Sequence, residues 1–261
     1  RKDSFALHTW WFPIVGSVPY KGFFDKQDAE QQGRELEAAG YEVSIRDTDA
    51  FSTLGWFNDP VLSTTLKSAP TRIANTVIHE SVHSTVWIKN NVAFNETLAS
   101  FVGTQGALEF FKSLAEQCHV RDEGCEMAGA RVRAVSLEQT RQLEFAQVLA
   151  ELYSSLDVLY KDSSLTSEQK IERRIGVFEG IVAPLRVKYP TMQVLKAVHN
   201  AEIIQLMLYN TQLTSFVRLF EKCNGKWPNF WSAIKSIQAA VEEDDRVNPF
   251  RQLDGLIGRE N

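Results

Sequence analysis

The chain of 261 residues carries 44 % hydrophobic and 23 % charged side chains and a formal net charge of −5, a globular composition with enough apolar content for one large or two small domains. No basic cluster stands out that would neutralise several phosphates, which argues against a nucleic-acid partner. No apolar run reaches the about eighteen residues needed to span a bilayer, and none follows a basic N-terminal region as in a signal peptide.

From Trp10 to Phe24 the chain is aromatic and apolar but interrupted by Pro13, Gly16, Pro19 and Gly22, which predicts extended segments and turns rather than a helix. Asp25 offers an N-cap to a helix through Ala39, and Gly40 stands where a helix-ending glycine belongs. Tyr41, Val43 and Ile45 alternate with Glu42, Ser44 and Arg46, the period of a half-buried strand. Residues Ala50 to Phe57 read as a further strand. Ser68 and Pro70 mark the start of a helix running to about Lys89, because proline is tolerated in the first turn, where N–H groups lack partners.

That helix contains His79-Glu80-Ser81-Val82-His83. Residues four apart project from one helical face, so His79 and His83 can offer two imidazole nitrogens to one metal ion while Glu80 reaches a water on it. This is the zinc-hydrolase pattern, and a catalytic zinc takes three protein ligands and keeps a fourth position for water. The neighbouring positions Thr76, Val77, Ile78, Ser81, Val82 and Ser84 are uncharged, as a helix beneath a cleft requires. The plainer alternative is an amphipathic helix with two histidines. The chain continues Ser84-Thr85-Val86-Trp87-Ile88-Lys89 without a third histidine at metzincin spacing.

Asn90-Asn91 is a turn signal, after which a second helix begins near Phe94-Asn95, with Asn95 as N-cap and Glu96 as its first residue. At about 3.3 Å per extended residue, the link from Asn90 to Asn95 can recover the roughly 9 Å of helix built between His83 and Lys89. Glu96 is therefore the leading third ligand, the alternative being an acidic first-turn residue that complements the helix dipole. Glu96, Ala99, Gly103 and Gly106 fall on one stripe. A helix-interior glycine costs about 1 kcal/mol relative to alanine, and close approach of the histidine-bearing helix would supply the reason for two of them.

Further along, Cys118 and Cys125 flank a loop-like stretch in which a local disulfide is an option beside three reduced thiols, leaving Cys223 unpaired. A long amphipathic helix is predicted from about Glu126 to Tyr160, with Leu137, Leu149, Leu152, Leu156 and Leu159 on it. Thr166 with Gln169 makes a capping box for the next helix, which carries Ile171, Ile175, Phe178 and Val182 on one side and which Pro184 should end or kink. These two helices are expected to form an antiparallel hairpin. Another helix is predicted from Met192 to Cys223, stopped by Asn224-Gly225, and a last one after Pro228 that fades into Glu242-Glu243-Asp244-Asp245. Asn200 is a possible site residue. Tyr209 is a candidate oxyanion donor, a role that a helix beyond the metal site often fills in zinc peptidases, against the alternative of a tyrosine packed in the core.

The runs Trp11 to Phe24, Tyr41 to Arg46, Ala50 to Ser63, Ile78 to His83 and Ala93 to Val102, and more weakly His199-Asn200-Ala201-Glu202 and Gly225-Lys226-Trp227, resemble a bacterial family of predicted zinc aminopeptidases. That family is similar to a branch of the gluzincins, in which a Glu on the helix after HExxH completes the metal site. This chain departs from the family's usual motif at Ser81, Val82 and Ser84, which leaves the proposed ligands and base in place. The resemblance implies an α+β, mainly α fold. A zincin-like core with a small sheet and the active-site helix would span residues 1–117, and a long helical bundle or hairpin over residues 118–261 would complete the cleft.

The resemblance also implies a Zn2+-dependent peptidase, in the family's terms an aminopeptidase, with His79, His83 and Glu96 as metal ligands, Glu80 as general base and a peptide as substrate. An edge strand at Ser52, Thr53, Leu54, Gly55 and Trp56 would align that substrate, with Asn95 and Asn200 as further candidate substrate contacts. The resemblance further implies an envelope protein carried by an N-terminal signal or lipid anchor; the start at Arg1, which lacks a Met and enters the family-like region within a few residues, reads as a mature or trimmed form. The rival readings are a zincin-fold binding or scaffold protein without catalysis, and a zinc hydrolase of non-peptide amides or esters.

Overall fold

The computed structural model describes residues 1–47, 63–117 and 123–258. In chain order the elements are β1 (Trp10–Phe12), β2 (Gly16–Val18), α1 (Lys26–Ala38), α2 (Ser63–Leu66), α3 (Pro70–Thr85), α4 (Val92–Glu116), α5 (Glu123–Lys161), α6 (Ser167–Lys188), α7 (Asn200–Asn210), α8 (Leu213–Lys222), α9 (Trp227–Glu243) and α10 (Pro249–Ile257). The described chain is mainly helical with a two-stranded antiparallel sheet in which Trp11 faces Ser17, an α+β composition dominated by helix. The strand expected over Ala50 to Phe57 lies outside the described residues. Packing divides the chain into two compact units, Arg1–Asp47 with Phe145–Leu208 and Thr48–Glu144 with Tyr209–Asn261. Each unit draws on an early and a late stretch of sequence.

In the first unit, Asp25 Oδ1 accepts from the Gln27 N–H at 2.7 Å and starts α1, and Gly40 takes a φ of 83° just past the helix end. The capping box is present at α6: Thr166 Oγ1 accepts from the Gln169 N–H and Gln169 Oε1 from the Thr166 N–H. The core joins Leu149, Leu152, Leu156 and Tyr160 of α5 to Phe178 and Val182 of α6, together with Leu195 and Ile203. Phe5 stacks on Tyr153 with ring centroids 4.3 Å apart. Helix α6 runs through Pro184 instead of ending there. The bond that proline forgoes is to the carbonyl of exposed Gly180, which solvent can serve.

Three sequence expectations give way in this unit. Tyr41 to Arg46 pairs with no strand among the described residues. The side chain drawn inward there is Glu42, 7 % exposed, which accepts from both terminal nitrogens of Arg174 and from the Asn200 N–H. Ile175 is 53 % exposed while Arg174 is buried, so the ion pair rather than the apolar pattern sets the rotation of α6 at that turn. The helix expected from Met192 is interrupted. Residues 192–199 stay irregular, with Leu195 wholly buried at a φ of 53°, and α7 parts from α8 where Gln212 adopts a φ of 52°.

In the second unit, every residue of α4 from Phe94 through Thr104 is buried, the condition of a helix covered on all sides. Aromatic side chains supply much of that cover. Phe94 meets Phe216 and Phe250 at 5.2 and 5.3 Å between centroids, and Phe101 meets Phe220 and Phe230 at 5.8 and 5.4 Å. Further along α4, Ala107, Leu108 and Phe111 share a cluster with Val135 of α5, against which Ile78 of α3 packs. Leu137, one of the leucines that mark the amphipathic pattern of α5, is 50 % exposed.

Candidate metal centre

Helix α3 ends at Thr85, a turn earlier than its apolar pattern predicts, because Val86 is extended at φ −142° and ψ 126°. The chain then reverses through Asn90 at a φ of 64°. Asn95 holds this reversal: its Oδ1 accepts from the Ile88 N–H at 2.9 Å and its Nδ2 donates to the Ile88 carbonyl at 2.8 Å. Since α4 starts at Val92, Asn95 is not the N-cap but a clamp inside the first turns, and Glu96 follows it. The reversal brings α4 back alongside α3.

The two helices meet at Gly103. A Cβ placed there would lie 3.0 Å from both the main-chain and side-chain oxygens of Asn75 and 3.3 Å from His79 Cβ; one at Gly106 would lie 3.2 Å from Ile78 methyls. The glycines of the Glu96 stripe therefore sit where α3 lies against the helix, which is the close approach their spacing predicts.

Glu96 Oε2 stands 3.4 Å from His79 Nε2 and 3.5 Å from His83 Nε2. One ligand atom from each of the three residues falls within 4.8 Å of the others. Two ligands each about 2.05 Å from a tetrahedral zinc would be roughly 3.3 Å apart, so the two carboxylate–imidazole separations suit a shared cation better than a direct hydrogen bond of about 2.8 Å. Glu96 and His83 are 4 % and 6 % exposed. Burial pushes the Glu96 carboxyl up, but the imidazoles of His79 and His83 outweigh it and bring it down to about 2, so the group is an anion wherever a metal would be offered. Two imidazoles and one carboxylate are a donor set found in catalytic zinc sites. His83 Nδ1 is buried without a hydrogen-bond partner among the described residues.

Glu80 is half-buried on α3, next to His79 in sequence. The Tyr209 ring lies 6.1 Å from that of His79, with 25° between the planes. Trp87 packs edge-on against His83 at 5.4 Å, a neighbour that sequence reasoning missed although its spacing of four from His83 points to it. Asn95 is 1 % exposed with both ends of its amide engaged by Ile88. Asn200 is also 1 % exposed and lies in the first unit, where its amide donates to the Arg1 and Ser4 carbonyls and accepts from the Tyr160 hydroxyl. Ser52, Thr53, Leu54, Gly55 and Trp56 lie outside the described residues. Cys125 is disulfide-bonded and Cys223 carries a free thiol, whereas Cys118 lies outside the described residues. No described helix is long and apolar enough to cross a membrane.

A family model described as "Putative aminopeptidase" matches residues 1–248. No curated protein and no solved structure matches the chain. The match spans nearly the whole sequence, so the chain belongs to that aminopeptidase family, and the family points to a peptidase.

Proposed function

We propose that the chain is a zinc-dependent peptidase in which His79, His83 and Glu96 hold the metal and Glu80 is the general base. The observation that carries this reading is the approach of two imidazole Nε2 atoms, at 3.4 and 3.5 Å, to one buried carboxylate oxygen; family membership supports the peptide as substrate. Zinc held there would supply Lewis acidity and an activated water. The protein's own residues do the rest. Glu80 takes a proton from the nucleophile and returns it to the leaving amine, a transfer that suits a half-buried carboxylate beside the ligand set. Tyr209, packed along His79, donates to the developing oxyanion, an interaction whose loss costs about 3 kcal/mol in comparable sites. An envelope location is proposed with this function on sequence resemblance.

The test is a screen of the zinc-loaded protein against free-amine peptides, N-blocked peptides and simple esters. Cleavage restricted to free-amine peptides supports an aminopeptidase; cleavage of neither peptide class refutes the peptidase reading. Glu80→Gln should retain zinc and lose turnover, and full hydrolysis by this variant would show that Glu80 is no base. Glu96→Ala should lose zinc, whereas unchanged metal content would place the third ligand elsewhere.

A further inference from the structure

Asn75 stands one helical turn before His79 on α3, and its side chain leaves that helix to donate from Nδ2 to Thr104 Oγ1 of α4 at 3.0 Å. The Thr104 hydroxyl in turn donates to Gln142 Oε1 of α5 at 3.1 Å. Thr104 is 5 % exposed, so neither bond is readily replaced by solvent. Its neighbour Gly103 is the residue on which the Asn75 oxygens and His79 Cβ rest. Contact and hydrogen bond thus fall at one place, a turn below the first histidine, and they do different things. The glycine sets how closely the two helices approach, which a sliding motion would leave intact. The Asn75–Thr104 bond sets how far one helix has slid along the other, since a hydrogen bond tolerates only a few tenths of an ångström.

We infer that Asn75 and Thr104 form a positioning latch that fixes the axial register of α3 against α4, and so holds His79 and His83 at the correct distance from Glu96 for metal binding. The inference rests on the proposed metal site and adds two residues that touch neither metal nor substrate. Both histidines ride on the helix that carries Asn75, and Glu96 rides on the helix that carries Thr104. A slip of 1 Å between the helices would change both carboxylate–imidazole separations together, without unfolding anything.

Thr104→Val keeps the shape of the side chain and removes the hydroxyl, leaving Asn75 Nδ2 and Gln142 Oε1 without this partner. The readouts are zinc affinity by competition with a chromophoric chelator and the visible spectrum of the cobalt-substituted protein, both independent of turnover. Thr104→Val is expected to weaken zinc at least tenfold, the lower end of what lost outer-shell support costs a metal site, and to shift the cobalt bands. Thr104→Ser, which restores the hydroxyl, should recover parental affinity. Ile237→Ala opens a cavity on the buried face of α9 and serves as a variant destabilised without touching the latch; its zinc affinity should stay within twofold. If the parent binds zinc and Thr104→Val binds it equally with an unchanged cobalt spectrum, the latch is refuted and the metal site stands. The latch is also refuted if Ile237→Ala weakens zinc as much as Thr104→Val. A parent chain that binds no zinc overturns both readings.

Discussion

Replacing Gly103 by alanine puts the packing of α3 on α4 to a quantitative test. The added methyl would sit 3.0 Å from the Asn75 carbonyl and carboxamide oxygens and 3.3 Å from His79 Cβ, about 0.5 Å inside the contact optimum of roughly 3.5 Å. Two effects oppose each other. Alanine gains about 1 kcal/mol over glycine in a helix interior, while crowding a packed core costs about 1–3 kcal/mol. Crowding should win here, because one obstructing atom is the main-chain oxygen of Asn75, fixed by the ladder of its own helix.

The expected outcome for Gly103→Ala is a net loss of about 1 kcal/mol, or about 2–4 °C in Tm for a chain of this size class, together with weaker zinc binding. Gly106→Ala meets only Ile78 side-chain carbons at 3.2 Å, which can rotate away, and should be near neutral. Gly180→Ala in α6 meets nothing within 4 Å and should gain up to about 1 kcal/mol. Urea unfolding followed by circular dichroism, with a parallel zinc titration, ranks the three. Should Gly103→Ala prove as stabilising as Gly180→Ala, the close approach of the two helices is refuted.

Two further predictions concern polar clamps. Asn95→Ala strips the N–H of Ile88, itself 1 % exposed, of its partner, while the Ile88 carbonyl loses one of two donors and keeps the Asn91 N–H at 3.1 Å; at about 1–3 kcal/mol per buried unpaired group, a loss near 2 kcal/mol is expected in urea unfolding, and one below about 0.5 kcal/mol would show that the reversal is held by something else. In the first unit, burial pushes the Glu42 carboxyl up but Arg174 and the Asn200 N–H outweigh it, so its pKa lies below the ordinary 4.5. A depressed carboxylate contributes stability that is complete above the unfolded value near 4.5 and lost as pH falls through the folded value. Glu42→Gln should therefore flatten the acid limb of the stability profile, and an unaltered limb would refute the assignment. Arg174→Met, which leaves Glu42 buried without its cation, should cost about 3–5 kcal/mol at neutral pH.

The parts of the fold legible in the sequence are those that local chemistry decides. The Thr166–Gln169 box, the Asp25 cap and the Asn224-Gly225 stop are read from residues within a turn of one another, and all three are present. The spacing of His79, His83 and the glycine stripe is equally local, and the approach of Glu96 to both histidines follows once the chain turns back. What the sequence hid depends on partners far away or on geometry that no pattern encodes. Val86 and Ile88 continue an apolar helical pattern, yet the Asn95 amide holds Ile88 outside the helix. Tyr41 to Arg46 alternates like a strand, yet Glu42 answers to Arg174, which is distant in sequence. Periodicity ranks Ile175 above Arg174 for the interior, and an ion pair reverses that order.

All three proposed ligands lie within residues 79–96, on two helices joined by a short reversal. The entropy lost in bringing a chain's ends together grows with the loop between them, and structures dominated by near-neighbour contacts form quickly. Assembly of the cluster therefore asks little of the long-range topology. In a nascent chain the carboxylate and both imidazoles would emerge almost together, so a cation captured at that stage would favour the native α3–α4 pairing over its competitors. Pulse-labelled hydrogen exchange should accordingly find the amides of α3 and α4 protected before those of α8 and α10.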